Sequence, residues 1–178
     1  MRLFFFLFSF TKLLHEWRLG DYNMSTSGRK WEKVGNMFFG SYEHTIDEKG
    51  RLVIPRKMRD ELGGKLFIMK GFDGALSLQK EEVFQALLEQ FQTLPFNIKN
   101  NRDYLRPQLA SACELEMDKM GRVQIPTLLL TKYKIGKDVV IIGAGDHIEV
   151  WDKQTYMAYE EEAEANFETL AETISQKE

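Results

Sequence analysis

Arg51 and Arg122 each follow a glycine and each close an Asp-x-x-x-Arg spacing, Asp47 to Arg51 and Asp118 to Arg122. A guanidinium is a planar fork that makes paired hydrogen bonds to guanine in the major groove or to phosphate oxygens, so an arginine held on a compact turn is suited to nucleic acid. Around Arg51, the residues Lys49, Arg56, Lys57 and Arg59 bring the count to five cations in eleven residues, with Glu48 and Asp60 adjacent. This is the densest positive patch after Met37. It reads either as a DNA contact or as a solvated surface whose arginine is paired to the motif's own aspartate. A carboxylate facing DNA would repel phosphate. Asp47 and Asp118 are therefore expected to form turns by accepting backbone or arginine hydrogen bonds, while Gly50 and Gly121 supply positive φ.

Other side chains capable of chemistry are dispersed. His44 falls in a strand pattern, His147 in a turn and Cys113 in a strand-like run, without metal-ligand spacing, a phosphate loop or a nucleophile motif. Gly143-Ala144-Gly145 lacks the third glycine and following helix of a dinucleotide fingerprint and reads as a turn. The expectation is a protein that is not an enzyme, with no cofactor, metal or small-molecule substrate.

The elements that must position the arginines occur twice. Asp47-Glu48-Lys49-Gly50-Arg51-Leu52-Val53-Ile54-Pro55 recurs 71 residues later as Asp118-Lys119-Met120-Gly121-Arg122-Val123-Gln124-Ile125-Pro126, with Asp, Gly, Arg, Ile and Pro in register. Each copy is preceded by an alternating strand pattern, residues 41–46 and 113–117, and followed by a short segment ending at Gly63 or Gly136. An apolar strand comes next, residues 66–69 or 139–142, then a turn at Phe72-Asp73-Gly74 or Ala144-Gly145-Asp146, then a second alternating strand. Pro55 and Pro126 are expected to stop strand pairing, since proline lacks the ladder N–H. A helix is expected over residues 80–94, where Val83, Phe84, Leu87, Leu88, Phe91 and Leu94 recur at helical spacing before Pro95. A second starts at Asp152 as N-cap and carries the stripe Tyr156, Tyr159, Ala163, Phe167, Leu170 and Ile174 beside acidic Glu160 to Glu164. Residues 97–110 form a further helix candidate that Pro107 would kink or bound.

Composition sets outer limits. The 178 residues carry 24 basic and 27 acidic side chains, 43% hydrophobic residues and one cysteine, which excludes an intrachain disulfide framework and suits a soluble protein of a reducing cytosol. Leu3 to Phe10 is too short to cross a bilayer, and the residues after it offer no small-x-small cleavage site. The composition changes abruptly at Met37, and the purine-rich codons implied by residues 31–36 resemble a ribosome-binding leader, so translation is expected to start at Met37. The expected organisation is residues 1–36 as an upstream extension, 37–95 as the first unit with its helix, 96–110 as a connector and 111–178 as the second unit with its helix. Subtracting the six basic and three acidic residues before Met37 leaves 18 and 24, so one subunit alone should bind DNA weakly.

From Met37-Phe38-Phe39-Gly40 onward, the duplicated Asp-x-x-x-Arg with its following Ile-Pro closely resembles the MraZ family of bacterial transcriptional regulators. The resemblance implies an α+β fold in which two tandem swapped-hairpin AbrB-like β units interleave into one pseudo-symmetric barrel with flanking helices. It also implies a ring-shaped homo-oligomer, located in the cytoplasm and on the nucleoid, that binds double-stranded DNA at direct repeats. Those repeats would lie ahead of the division and cell-wall gene cluster, including the protein's own gene, with repression as the expected outcome. The implied DNA-facing set is Arg51, Lys49, Arg56, Lys57, Arg122 and Lys119, built on Asp47, Gly50, Asp118 and Gly121. The second copy is not equivalent to the first, having Met120 in place of Lys49 and Thr127-Leu128 in place of Arg56-Lys57. A competing reading is an AbrB-like antitoxin that binds DNA and a protein toxin, using the amphipathic C-terminal helix for the toxin.

Overall fold

Alternation decides which side of each strand is buried, and here it gives the sheet two differently covered faces. The computed structural model describes residues 37–175. The extension of residues 1–36 and the expected start at Met37 concern chain outside the described residues. The first half runs β1 (Ser41–Thr45), β2 (Arg51–Val53), α1 (Arg56–Leu62), β3 (Lys65–Lys70), β4 (Leu76–Lys80), α2 (Glu81–Gln92) and α3 (Lys99–Ser111). The second half repeats that order as β5 (Cys113–Glu116), β6 (Arg122–Gln124), α4 (Thr127–Lys132), β7 (Asp138–Gly143), β8 (Ile148–Asp152), α5 (Lys153–Ala165) and α6 (Phe167–Ser175). It is a mixed α+β fold whose strand pairs are all antiparallel.

Six strands form one sheet in the order β1-β7-β8-β4-β3-β5, and β2 pairs with β6 in a separate two-stranded ribbon. The halves exchange strands: β1 pairs with β7 of the second half, and β5 pairs with β3 of the first. Leu66, Ile68, Leu76, Leu78, Val139, Ile141, Ile148 and Val150 point to one sheet face and pack with Leu52, Ile54, Val123 and Ile125 of the ribbon and with Met58, Leu62 and Leu129 of α1 and α4. The intervening residues Phe67 and Met69 point to the other face, where Phe84 and Phe91 of α2 and Leu105 of α3 form a second core.

The closed barrel expected from the resemblance is not observed. The large sheet ends on β1 and β5, and among the described residues the isolated bridge that links it to the ribbon is Ile46–Leu52. The reason is local: β2 and β6 are three residues each, Pro55 and Pro126 end their pairing, and they satisfy each other instead of joining β1 to β5.

Two short helices were not anticipated. Pro55 and Pro126 stand immediately before α1 and α4 with φ near −54° and −57°, which presets the first helical turn. Pro107 lies inside α3 and does not bound it; Leu105 and Gln108, both buried, seat the helix against β3 despite the forgone hydrogen bond. The C-terminal helix breaks at Asn166 into α5 and α6. Asp152 caps α5 as expected, its Oδ1 accepting from the backbone N–H groups of Gln154 and Thr155 at 3.1 Å each. Tyr156 and Tyr159 pack on Trp151, but Phe167, Leu170 and Ile174 are 69%, 52% and 71% exposed.

Candidate nucleic-acid interface

Each Asp-x-x-x-Arg motif folds into one tight turn around its carboxylate. Asp47 Oδ1 accepts from the backbone N–H of Lys49 at 2.9 Å and of Arg51 at 3.0 Å. Its Oδ2 takes Nε and Nη2 of Arg51, both at 2.7 Å. The second motif repeats this: Asp118 Oδ1 accepts from Met120 at 2.8 Å and Arg122 at 3.0 Å, and Oδ2 from Nε and Nη2 of Arg122 at 2.7 Å each. The Arg51 backbone N–H is the largest influence holding the Asp47 carboxyl below its ordinary range; burial opposes it, and the Arg51 guanidinium and the Lys49 N–H add to the lowering. Asp118 is lowered in the same way by Arg122 and Met120.

Gly50 and Gly121 both have φ of 75°, a region that favours glycine. Both are buried because the other half of the chain passes directly over them. Ile125 N–H donates to Gly50 O, and Ile54 N–H donates to Gly121 O, each at 2.9 Å. A Cβ on Gly50 would lie 2.8 Å from Ile125 O; one on Gly121 would collide with the Arg59 guanidinium. Each motif therefore rests on the strand of the other.

The ribbon places the arginines on one side. Arg51 pairs with Gln124 and Val53 with Arg122, so these four side chains share a face, while Leu52 and Val123 point oppositely and are wholly buried. The side chains of Arg51 and Arg122 remain 33% and 26% exposed. Of the five N–H donors on each guanidinium, two engage the aspartate and three remain for another acceptor. The aspartate thus orients the fork without exhausting it. Lys49 and Lys119 are exposed in the two turns, and Arg56 and Lys57 are exposed at the start of α1. Among the described residues, none of these four cations has a carboxylate partner at ion-pair distance.

Arg59 departs from the positive patch in which sequence alone grouped it. Its Nε donates to Ile54 O at 2.6 Å and its guanidinium lies against Gly121, so it is a brace between the halves. His44 lies on β1 and His147 at the β7–β8 turn, where Nδ1 is 2.7 Å from Asp146 Oδ1 and Nε2 is 3.6 Å from Glu149 Oε1. Cys113 packs beside the main core. Among the described residues no group of three or more His, Cys, Asp or Glu side chains is placed to hold a metal, and no helix is long and apolar enough to cross a membrane.

A two-stranded ribbon has a cross-section that a B-DNA major groove admits. Comparison with known proteins identifies a family. A family model described as "MraZ protein, putative antitoxin-like" matches twice, over residues 37–107 and 109–177. Transcriptional regulator MraZ of Caldanaerobacter subterraneus subsp. tengcongensis is 42% identical over 138 residues, covering 78% of this chain and 96% of its own. The proteins of the same name from Mesoplasma florum and Lactiplantibacillus plantarum are 40% and 41% identical, covering 79% and 78% of this chain and 97% and 98% of theirs. With two copies of the family's unit spanning nearly all of residues 37–177 and these relatives matched almost end to end, the chain belongs to the MraZ family.

Proposed function

We propose that the protein is a sequence-specific DNA-binding transcriptional regulator that contacts double-stranded DNA through the outer face of the β2–β6 ribbon. The observation that carries this reading is the pair Arg51 and Arg122, each oriented by its aspartate and each with three N–H donors unengaged. Lys49, Lys119, Arg56 and Lys57 surround them and supply phosphate contacts, which position the ribbon while the arginines read bases. The name carried by the relatives, transcriptional regulator, supports the same reading. Its targets are repeated boxes upstream of the division and cell-wall gene cluster, including its own gene, where it acts as a repressor in the cytoplasm, on the nucleoid. The strand exchange of β1 and β5 between halves supports descent from a swapped-hairpin ancestor of the AbrB type.

Assembly follows from a charge argument. Residues from 37 on are net acidic, so a single ribbon binds weakly, and several ribbons on one ring convert later contacts into intramolecular ones along repeated boxes. The exposed α6 stripe of Phe167, Leu170 and Ile174 provides apolar surface for a head-to-tail contact between copies. The antitoxin alternative draws on the same stripe, with a toxin rather than a copy of this chain as its occupant.

The test is binding of the purified protein to its own upstream DNA against a scrambled duplex. Wild type should prefer the former, and Arg51→Ala should lose roughly 1–3 kcal/mol per engaged site while staying folded and assembled. Lys57→Ala should weaken both duplexes and reduce the salt slope by about one. An Arg51→Ala protein that binds the boxes as tightly as wild type would show the ribbon face to be an ordinary solvated surface.

A further inference from the structure

Arg51 stands opposite Gln124 in the ribbon and Arg122 opposite Val53, and the pair between them, Leu52 and Val123, is wholly buried, so the four flanking side chains share the outer face. Residues 71 apart are equivalent in the two halves, which makes Gln124 and Val53 twins of different chemistry. Val53 has no polar side-chain atom. Gln124 is exposed, and its Nε2 donates to the backbone carbonyl of Lys49 at 3.3 Å. A carbonyl oxygen only accepts, so this contact decides which end of the amide faces the first turn. One Nε2 proton is engaged there. The second proton and, among the described residues, the acceptor Oε1 are left for a ligand.

An amide that offers one donor and one acceptor side by side matches adenine alone in the major groove, where that base presents N7 as acceptor and its N6 amino group as donor. Guanine presents two acceptors there, cytosine a donor, and thymine an acceptor beside a methyl group. Resting on the DNA reading above, we propose that Gln124 is a specificity-determining residue that reads one adenine, Nε2 donating to N7 and Oε1 accepting from N6, next to the base approached by Arg51. Residues directly opposite on antiparallel strands have Cβ atoms about 5 Å apart, and base pairs stack about 3.4 Å apart, so two long side chains of one cross-strand pair reach neighbouring base pairs. Both readers are aimed by the same turn, the guanidinium by Asp47 and the amide by the Lys49 carbonyl. The twin position cannot repeat the contact, since Val53 has nothing to donate or accept. One ribbon therefore reads one adenine, where a ribbon of two identical strands would read two.

Substituting 7-deazaadenine exchanges N7 for carbon and leaves Watson–Crick pairing in place, so the contact is testable with the unaltered protein. The probe is the protein's own upstream duplex with every adenine replaced, compared with the unmodified duplex and with a scrambled one. Wild type should bind the deaza duplex about two- to tenfold more weakly for each engaged subunit, the factor expected for one hydrogen bond. Gln124→Val copies the residue at the twin position. It should bind the unmodified duplex roughly 5- to 150-fold more weakly per engaged site, as for one lost bidentate contact, and show no further loss on the deaza duplex. The proposal is overturned if wild type binds the deaza and unmodified duplexes equally, a comparison that needs no variant to fold. It is overturned equally by Gln124→Val matching wild type on the unmodified duplex, or by that variant keeping the full deaza penalty, which would put the N7 contact on another residue. Wild type that binds the upstream duplex no better than the scrambled one defeats instead the DNA reading on which the proposal rests.

Discussion

Four N–H groups converge on each motif carboxylate, and this sets its response to acid. Asp47 and Asp118 are held below their ordinary range, so their contribution to stability is complete above the usual carboxylate value and is lost only as pH falls through the lowered folded value. The turns that aim Arg51 and Arg122 therefore keep their geometry throughout the neutral range. The glycines are less forgiving. At Gly121 a side chain meets both an unfavourable φ of 75° and the Arg59 guanidinium, whereas at Gly63, with the same φ, nothing lies within 4 Å. Gly63→Ala is expected to cost on the order of 1–3 kcal/mol from backbone strain alone. Gly121→Ala should cost more and should misplace Arg122; urea melts of the two variants compare them directly. Equal melting midpoints would mean that Arg59 swings aside freely and is no brace.

At the scale of elements, the β7–β8 hairpin and β1 carry two histidines with opposite pH signatures. The Glu149 carboxylate, 3.6 Å from Nε2, and Asp146, hydrogen-bonded to Nδ1 at 2.7 Å, together outweigh burial and raise His147; burial, assisted by Arg59, lowers His44. His147 thus stabilises the fold fully below the ordinary histidine value of about 6.5, and that stability is lost as pH rises through its raised folded value. His44 does the reverse, since a lowered folded value opposes the fold as pH falls through the unfolded one. His147→Gln should remove a stabilisation on the acid side, and His44→Gln should remove a penalty there. Thermal melts across the range read the two slopes separately, and slopes of the same sign would contradict the assigned environments. The strands and long helices are legible in sequence because their signals are local: alternation in residues 41–46 and 113–117, apolar runs in 66–69 and 139–142, helical spacing in 81–92, and the Asp, Gly and Pro demands of each turn. The β2–β6 ribbon was not read from pattern, because three residues give no usable alternation and the choice of partner is tertiary. Helices α1 and α4, of seven and six residues, are too short for a periodic signal. The motif residues of the site were legible as a repeat; the inward role of Arg59 was not, as only the approach of Gly121 distinguishes it from its basic neighbours.

For the whole molecule, the unpartnered stripe on α6 is the feature that assembly must account for. Leu170→Asp together with Ile174→Asp should leave melting of the main core little changed, since neither side chain is buried, and should reduce the mass seen by light scattering. An unchanged mass would remove α6 from the subunit contact, and a strictly monomeric wild type at micromolar concentration would defeat the ring. The crossing of the two halves has a further consequence, for the order of events during synthesis. Gly50 cannot complete its hydrogen bond until Ile125 exists, and Gly121 requires a strand made long before it. At about 5–20 residues per second the gap corresponds to roughly 4–15 s in which the first motif waits without its partner. Closing that loop also makes the contact order of the ribbon high, so it should be among the later parts to form. A nascent or prematurely terminated chain lacking β6 would carry Arg51 and its cations but no rigid ribbon, so on the proposed function incomplete product should not compete with finished protein for DNA.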